Sequence, residues 1–520
     1  MNLLKTLAAI SSMTMLSRVT GLARDFLFAR MFGADAAMDA YVAAFRIPNF
    51  FRRLFAEGAF SQAFVPILAE YRNQKGDAET RELVDHVATV LTWVLVFSCV
   101  LGVLASPLLV YLFASGFREQ AAKFDLTILL TRIMFPYIGF MSLVALASGI
   151  LNTWRQFKVP AFTPVLLNLS FIVATIFSEP LFGKEKQIYA LGFAVLIGGV
   201  LQLLMQVPSL IKIGMLPRIG LNPKFALRDP KVGRVLRQMG PAVLAVSATQ
   251  ISIIINSTWA SNLPGAMSHL NYADRLMELP SALLGVALGT ILLPSLSGAK
   301  AKGDTKEYSA LLDWGLRLTC LLALPSAVGL LTVPEALVST LFHHGKFDAH
   351  AVLMTSRAVA AYGVGLTGLI LVKILAPGFY AQQDIRTPVK IAIVVLCVTQ
   401  ALNLLFYFWV PSLAEAGLAL SVGLGACVNA GLLFRGLRQR GLYVPEPGWW
   451  VFILKLCCAL LLMGALGWYF NSHIDWLGLR ATSVMRCAIL AGVVLVCAFT
   501  YFAALFAMGF RLRHFRKLAH

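Results

Sequence analysis

Long apolar runs alternate with short polar connections along the whole chain. Fourteen runs can be marked, at roughly 5–29, 36–68, 84–113, 126–151, 160–182, 188–211, 238–262, 268–297, 309–333, 350–378, 389–410, 416–434, 449–470 and 482–508. A helix that crosses a bilayer needs about 20 mostly apolar residues. Each run therefore predicts a membrane span, and the fold class is all-α and polytopic. The connections sort by charge. Alternate connections, counted from the N-terminus, hold 24 basic residues, and the other set holds 7. The positive-inside rule then puts both termini in the cytoplasm and requires an even number of spans.

The runs repeat. Phe-Arg-Ile-Pro at 45–48 resembles Met-Glu-Leu-Pro at 277–280, and Val-Pro-Ile-Leu at 65–68 resembles Leu-Pro-Ser-Leu at 293–296. A third landmark pairs Pro160 with Pro388, so the proline offsets are 232, 228 and 228. The pattern predicts a six-helix bundle over 1–212, a basic cytoplasmic linker with a short surface helix over 213–237, and a second six-helix bundle over 238–440. Residues 441–520 add two further helices and a basic tail. Parallel repeats of this kind place substrate sites between the halves, near mid-membrane.

Composition agrees. The chain is 58% hydrophobic with mean hydropathy +0.77 and a formal charge of +19. The basic residues lie in short loops, so a nucleic-acid face is excluded. The N-terminus has the start of a signal peptide, but Arg18 and Arg24 interrupt its apolar run, and it reads as a retained first span. All eight cysteines lie in apolar runs, without a C-x-x-C pair. No Walker loop, G-x-S-x-G, H-E-x-x-H or dinucleotide fingerprint occurs. The reading is a transporter, not an enzyme, with no cofactor and no metal. His343, His344, Asp348 and His350 read as a solvated loop.

The first two spans carry Arg18, Arg24, Asp25, Asp39, Arg46, Arg52, Arg53 and Glu57. A charge at the centre of a span costs roughly 2.5–3.5 kcal/mol on insertion scales. Such residues line a wet interior or pair with one another. At about 100° per residue, Asp39, Arg46, Arg53 and Glu57 form one narrow stripe. Ser268, Asn271, Arg275 and Glu278 share a face in the second half. Five arginines among the first eight charges favour an anion, and guanidinium suits phosphate because it donates two parallel hydrogen bonds. The competing reading is internal pairing that only holds helices together. Arg132, Arg357 and Lys373 are further charges inside runs.

The runs SSMTMLSRVTGLARD (11–25), FRIPNFFRRLFAEGAFSQAFVPILAEY (45–71), NYADRLMELPSALLGVALGTILLPSLS (271–297) and LAPGFYAQQDIRTPVKIAI (375–393) resemble the MurJ (MviN) lipid II flippase family. That family lies within the multidrug/oligosaccharidyl-lipid/polysaccharide exporter superfamily. The resemblance implies two bundles around a central cavity that alternates its opening. It implies lipid II, undecaprenyl-pyrophosphoryl-disaccharide-pentapeptide, as the substrate, moved to the outer leaflet of the bacterial cytoplasmic membrane. On it, the substrate-binding positions are Arg18, Arg24, Asp39, Arg52 and Arg275, with Asn49, Arg53, Glu57, Ser268 and Glu278 contributing. The last two spans would hold the lipid tail. Membrane lipids and peptidoglycan synthases are the implied partners. Segments 238–262 and 389–434 hold Glu415 as their one acid, which argues against a cation site in that half. The alternatives are a cation-coupled drug or other polyprenyl-linked oligosaccharide exporter of the superfamily, a non-transporting scaffold, and a membrane enzyme.

Overall fold

Helices are the only regular structure among the described residues, as expected where lipid offers the backbone no hydrogen bonds. A computed structural model describes the backbone of residues 3–54 and 60–510. It describes their side chains except at 3–11, 62, 241–242, 244–246, 248–249, 283 and 285–291.

The chain forms two compact units, Met1–Met267 and Ser268–His520. The first holds α1 (Leu3–Met31), α2 (Ala36–Phe51), α3 (Ser61–Gln74), α4 (Asp77–Leu104), α5 (Ser106–Phe113), α6 (Ala121–Met134), α7 (Tyr137–Thr153), α8 (Lys158–Ile176), α9 (Ser178–Lys186), α10 (Tyr189–Lys212), α11 (Pro223–Leu227) and α12 (Pro230–Ser261). From the unit boundary onward run α13 (Ala266–Ala301), α14 (Thr305–Thr332), α15 (Pro334–Phe342), α16 (Ala349–Tyr380), α17 (Arg386–Trp409), α18 (Glu415–Gln439), α19 (Trp449–His473) and α20 (Ser483–Ala507). Local chemistry sets many boundaries. Asp35, Asp229, Asp304 and Asp348 each accept a backbone N–H at a helix start. Pro136 separates α6 from α7.

Among the described residues, ten runs are long and apolar enough to cross a membrane. The helices that carry the candidate charges, α1, α2 and α13, are not among the ten. The chain is an all-helical, multi-span membrane protein.

In the first unit, α1 packs on α8, α8 on α10, and α2 on α6. Phe28, Tyr41, Phe45 and Phe171 form an aromatic nest with edge-to-face and stacked rings. The linker is fastened to this unit. Lys231 Nζ lies 2.7 Å from Glu82, Arg234 forks onto both oxygens of Glu70 at 2.9 and 2.7 Å, and His86 Nδ1 lies 2.6 Å from Asp229. The Arg234 hydrogen bond holds the Glu70 carboxyl below its ordinary range. Two linker cations are thus engaged with protein carboxylates. Helix α12, which the sequence assigns to the second bundle, packs on α3 and α5 in the first unit. Ser261 Oγ accepts the Gly116 N–H at 3.0 Å there.

In the second unit the tightest pairing is α16 with α18. A Cβ on Gly365 would lie 2.0 Å from the Gly423 Cα, and one on Gly368 would lie 2.7 Å from the Cys427 nitrogen. Small residues let the two backbones touch, as in membrane helix pairs generally. On α19 and α20, large apolar side chains such as Trp468 and Phe499 stay exposed on the protein surface, as residues facing lipid do.

Candidate substrate site

The described candidate residues of the first unit lie on α1, on α2 and in the turn just after α2. Arg18 is exposed, while Arg24 is half-buried and highly connected. Its Nε and Nη2 donate to Asp25 Oδ1 at 2.9 and 2.7 Å, and its Nη1 donates to Asn168 Oδ1 of α8 at 2.9 Å. The guanidinium also lies 5.7 and 5.6 Å from the rings of Phe28 and Phe171, within cation–π range. Asn168 Nδ2 in turn donates to the Ser17 carbonyl and to Thr20 Oγ1. Asn168 therefore orients Arg24 and joins α1 to α8. Sequence reasoning missed it, because a lone asparagine 144 residues away leaves no periodic signal.

On α2 the expected stripe meets three environments. Asp39 is fully buried, and its Oδ2 accepts from Lys123 Nζ at 2.7 Å and from the Gly265 N–H at 3.1 Å. Arg46 is half-buried and donates to Ser257 Oγ at 3.0 Å. Arg53 is exposed. Arg52 donates from Nε to Asn49 Oδ1 at 3.1 Å, so these two candidates do meet. Pro48 lies inside α2, and the backbone widens into a π-type turn at 52–54, as often happens at functional sites. Glu57 lies outside the described residues. Lys123, counted from the sequence as a loop charge, is buried and carries the Asp39 counter-charge.

In the second unit the candidates lie on α13. Ser268 is buried. Arg275 Nη1 donates to Glu278 Oε2 at 3.1 Å, with both side chains more than a third exposed. About one turn on, Lys373 Nζ of α16 donates to the Ser281 carbonyl and hydroxyl at 3.0 and 2.8 Å. Glu415, at the start of α18, is buried. It sits 2.7 Å from His269 Nδ1.

The second unit also holds an apolar groove of about 370 Å³. Leu316 and Cys320 of α14, Leu371 of α16, Ala430 and Phe434 of α18, and Trp449 of α19 line it. The sequence expected the tail groove on 449–508; of the lining residues, Trp449 belongs to that stretch.

The candidate residues supply a set of guanidinium donors, mostly on neutral or half-exposed acceptors, and the second unit holds a separate apolar groove. Among the described residues, one group of His and acids could approach a metal, Glu82, His86 and Asp229; there the Lys231 ammonium already sits on Glu82.

Comparison with known proteins bears on the family. The model of the family described as "Lipid II flippase MurJ" matches residues 28–489. A lipid II flippase MurJ of Burkholderia cenocepacia is 55% identical over 520 residues, covering all of both chains. A probable lipid II flippase MurJ of Vibrio cholerae is 37% identical, covering 98% of this chain and 97% of its own. A solved structure titled "Lipid II flippase MurJ, inward closed conformation" superposes with TM-score 0.77 at 25% identity, covering 96% of this chain and 99% of that one. An inward-facing multidrug resistance MATE family transporter superposes with TM-score 0.66 at 17% identity, covering 84% of this chain and 98% of its own, which is a likeness of fold alone. The chain belongs to the MurJ lipid II flippase family.

Proposed function

We propose that this chain moves lipid II from the inner to the outer leaflet of the bacterial cytoplasmic membrane by alternating access. The observation that carries the reading is kinship over the full length, at 55% identity to a lipid II flippase. The local chemistry supports it. A diphosphate bare in hydrocarbon is prohibitive, and Arg18, Arg24, Arg52 and Arg275 are the donors that replace its water. Arg24 Nη1 and Arg52 Nε rest on neutral amide oxygens of Asn168 and Asn49. A phosphate oxygen displaces such acceptors, because charge-assisted bonds are about twice as strong as neutral ones. The apolar groove beside Phe434 and Trp449 receives part of the prenyl tail. With the cell interior negative, anion export gains about 2.3 kcal/mol per charge per 100 mV. Membrane potential therefore drives the cycle.

The test is reconstitution in vesicles with a labelled pyrophosphoryl prenyl lipid, with and without an imposed potassium diffusion potential. Flipping is expected to accelerate when the starting face is negative and to vanish in Arg24→Ala and Arg275→Ala. Full flipping in both variants at normal expression sinks the anion-holding role. Lack of flipping by the unaltered protein sinks the substrate assignment.

A further inference from the structure

Arg486 stands in the first turn of α20 and is wholly buried. Its surroundings are short of acceptors. Nη2 donates to the His343 carbonyl at 3.2 Å and lies 3.0 Å from His344 Nε2. That imidazole nitrogen also lies 3.2 Å from the Thr340 carbonyl, and it cannot both donate there and accept from Arg486. Nε and Nη1 have no partner among the described residues, and neither has the buried Nδ1 of His343. The loop between α15 and α16 reads as solvated from sequence, yet His343 is 3% exposed.

The missing element is negative charge. Among the described residues no carboxylate pairs with Arg486. Asp348, the acid of the 343–348 loop, uses Oδ1 to cap α16 at the Ala351 N–H, 2.7 Å away. A second guanidinium at this corner, Arg480, donates to the Gly345 carbonyl. The start of α20 adds partial positive charge, and no side chain caps it. A buried guanidinium with empty donors among cations and donors is one of the costliest arrangements a protein can hold. A compact anion relieves it, because helix starts and guanidinium groups both favour one.

We infer that this corner of the second unit binds a small inorganic anion of the halide class, held by Nε and Nη1 of Arg486 in the positive field of Arg480 and the α20 start. Full burial and two free donor atoms favour a monatomic ion over a phosphate, which needs more donors. The ion fastens the 343–348 loop to α20. It is separate from the arginines assigned to the diphosphate.

The experiment uses the full chain in detergent. Thermal unfolding is followed in sodium chloride, sodium bromide and sodium gluconate at matched ionic strength. Chloride and bromide are expected to raise the midpoint saturably over gluconate, and Arg486→Gln is expected to remove that difference. An equal midpoint in all three salts, or an unchanged halide effect in Arg486→Gln, overturns the inference. Should the variant not fold, crystals of the unaltered protein grown in bromide decide. An anomalous peak within hydrogen-bond reach of the Arg486 guanidinium supports the site, and bromide absent from that position overturns it.

Discussion

Asp39 and Lys123 form a buried ion pair, with Oδ2 and Nζ 2.7 Å apart and both side chains almost wholly enclosed. Breaking one side of such a pair leaves an uncompensated charge and costs about 3–5 kcal/mol. Lys123→Met is therefore expected to lower the unfolding free energy by that order, measured by denaturant unfolding in mixed micelles. The double variant Asp39→Asn, Lys123→Met is expected to recover most of the loss. The double variant also separates two roles for Asp39. Retained flipping in it assigns Asp39 to scaffolding, and lost flipping with a recovered fold assigns it to the substrate.

The Asn168 amide sets how available Arg24 is. Asn168→Asp places a second carboxylate against a guanidinium that already faces Asp25. A hydrogen bond to a charged group is worth about 1.5–3 kcal/mol, so apparent affinity for the pyrophosphoryl lipid should fall roughly ten- to a hundred-fold. Initial flipping rates across a lipid titration read this directly. Asn168→Ala is expected to act mainly on stability, since it unties α8 from Ser17 and Thr20.

The Gly365–Gly423 contact leaves no room for a methyl group, with 2.0 Å available to a Cβ. Gly365→Ala must push backbone against backbone, and overpacking costs typically 1–3 kcal/mol. A lowered unfolding midpoint is expected, together with loss of yield for Gly365→Val. Gly431, whose Cβ would meet nothing within 4 Å, is the control and should accept alanine without loss.

Two groups outside the spans contribute to the acid response. Burial first, then the charges of Arg480 and Arg486, push the His343 imidazole from 6.5 down to about 4. The unfolded chain then takes up the proton first, so stability is complete above about 6.5 and declines as pH falls toward 4. The Thr387 hydroxyl, with the Thr387 N–H and Arg440, holds the Asp384 carboxyl at about 2 against an ordinary 3.8. Its contribution is present above 3.8 and is lost as pH falls through 2. Unfolding midpoints from pH 7 to 4 should fall less steeply in His343→Gln than in the unaltered protein, while Asp384→Asn should leave that upper window unchanged.

The long apolar helices were readable as hydrophobic runs, because lipid exposure writes such runs directly into the chain. Pairing was not readable. Lys123 lies 84 residues from Asp39, Asn168 lies 144 from Arg24, and Glu415 lies 146 from His269. Helical phase orders neighbours three or four residues apart and is silent about partners on other helices. The burial of His343 escaped for a related reason. A short run of histidine, glycine, lysine and aspartate has loop composition, and only the packing of α15, α16 and α20 around it removes it from water.

The ties from the 213–237 stretch and the start of α12 to α3 and α4 bear on where foreign sequence can be grafted. A reporter spliced near Asp229 must disrupt the contacts of Glu70, Glu82 and His86 at once. The exposed turn at Lys302–Gly303, where Lys302 makes only a 3.5 Å surface contact to Glu307 and the other hydrogen bonds are local to the turn, is the permissive insertion point for tags and accessibility probes.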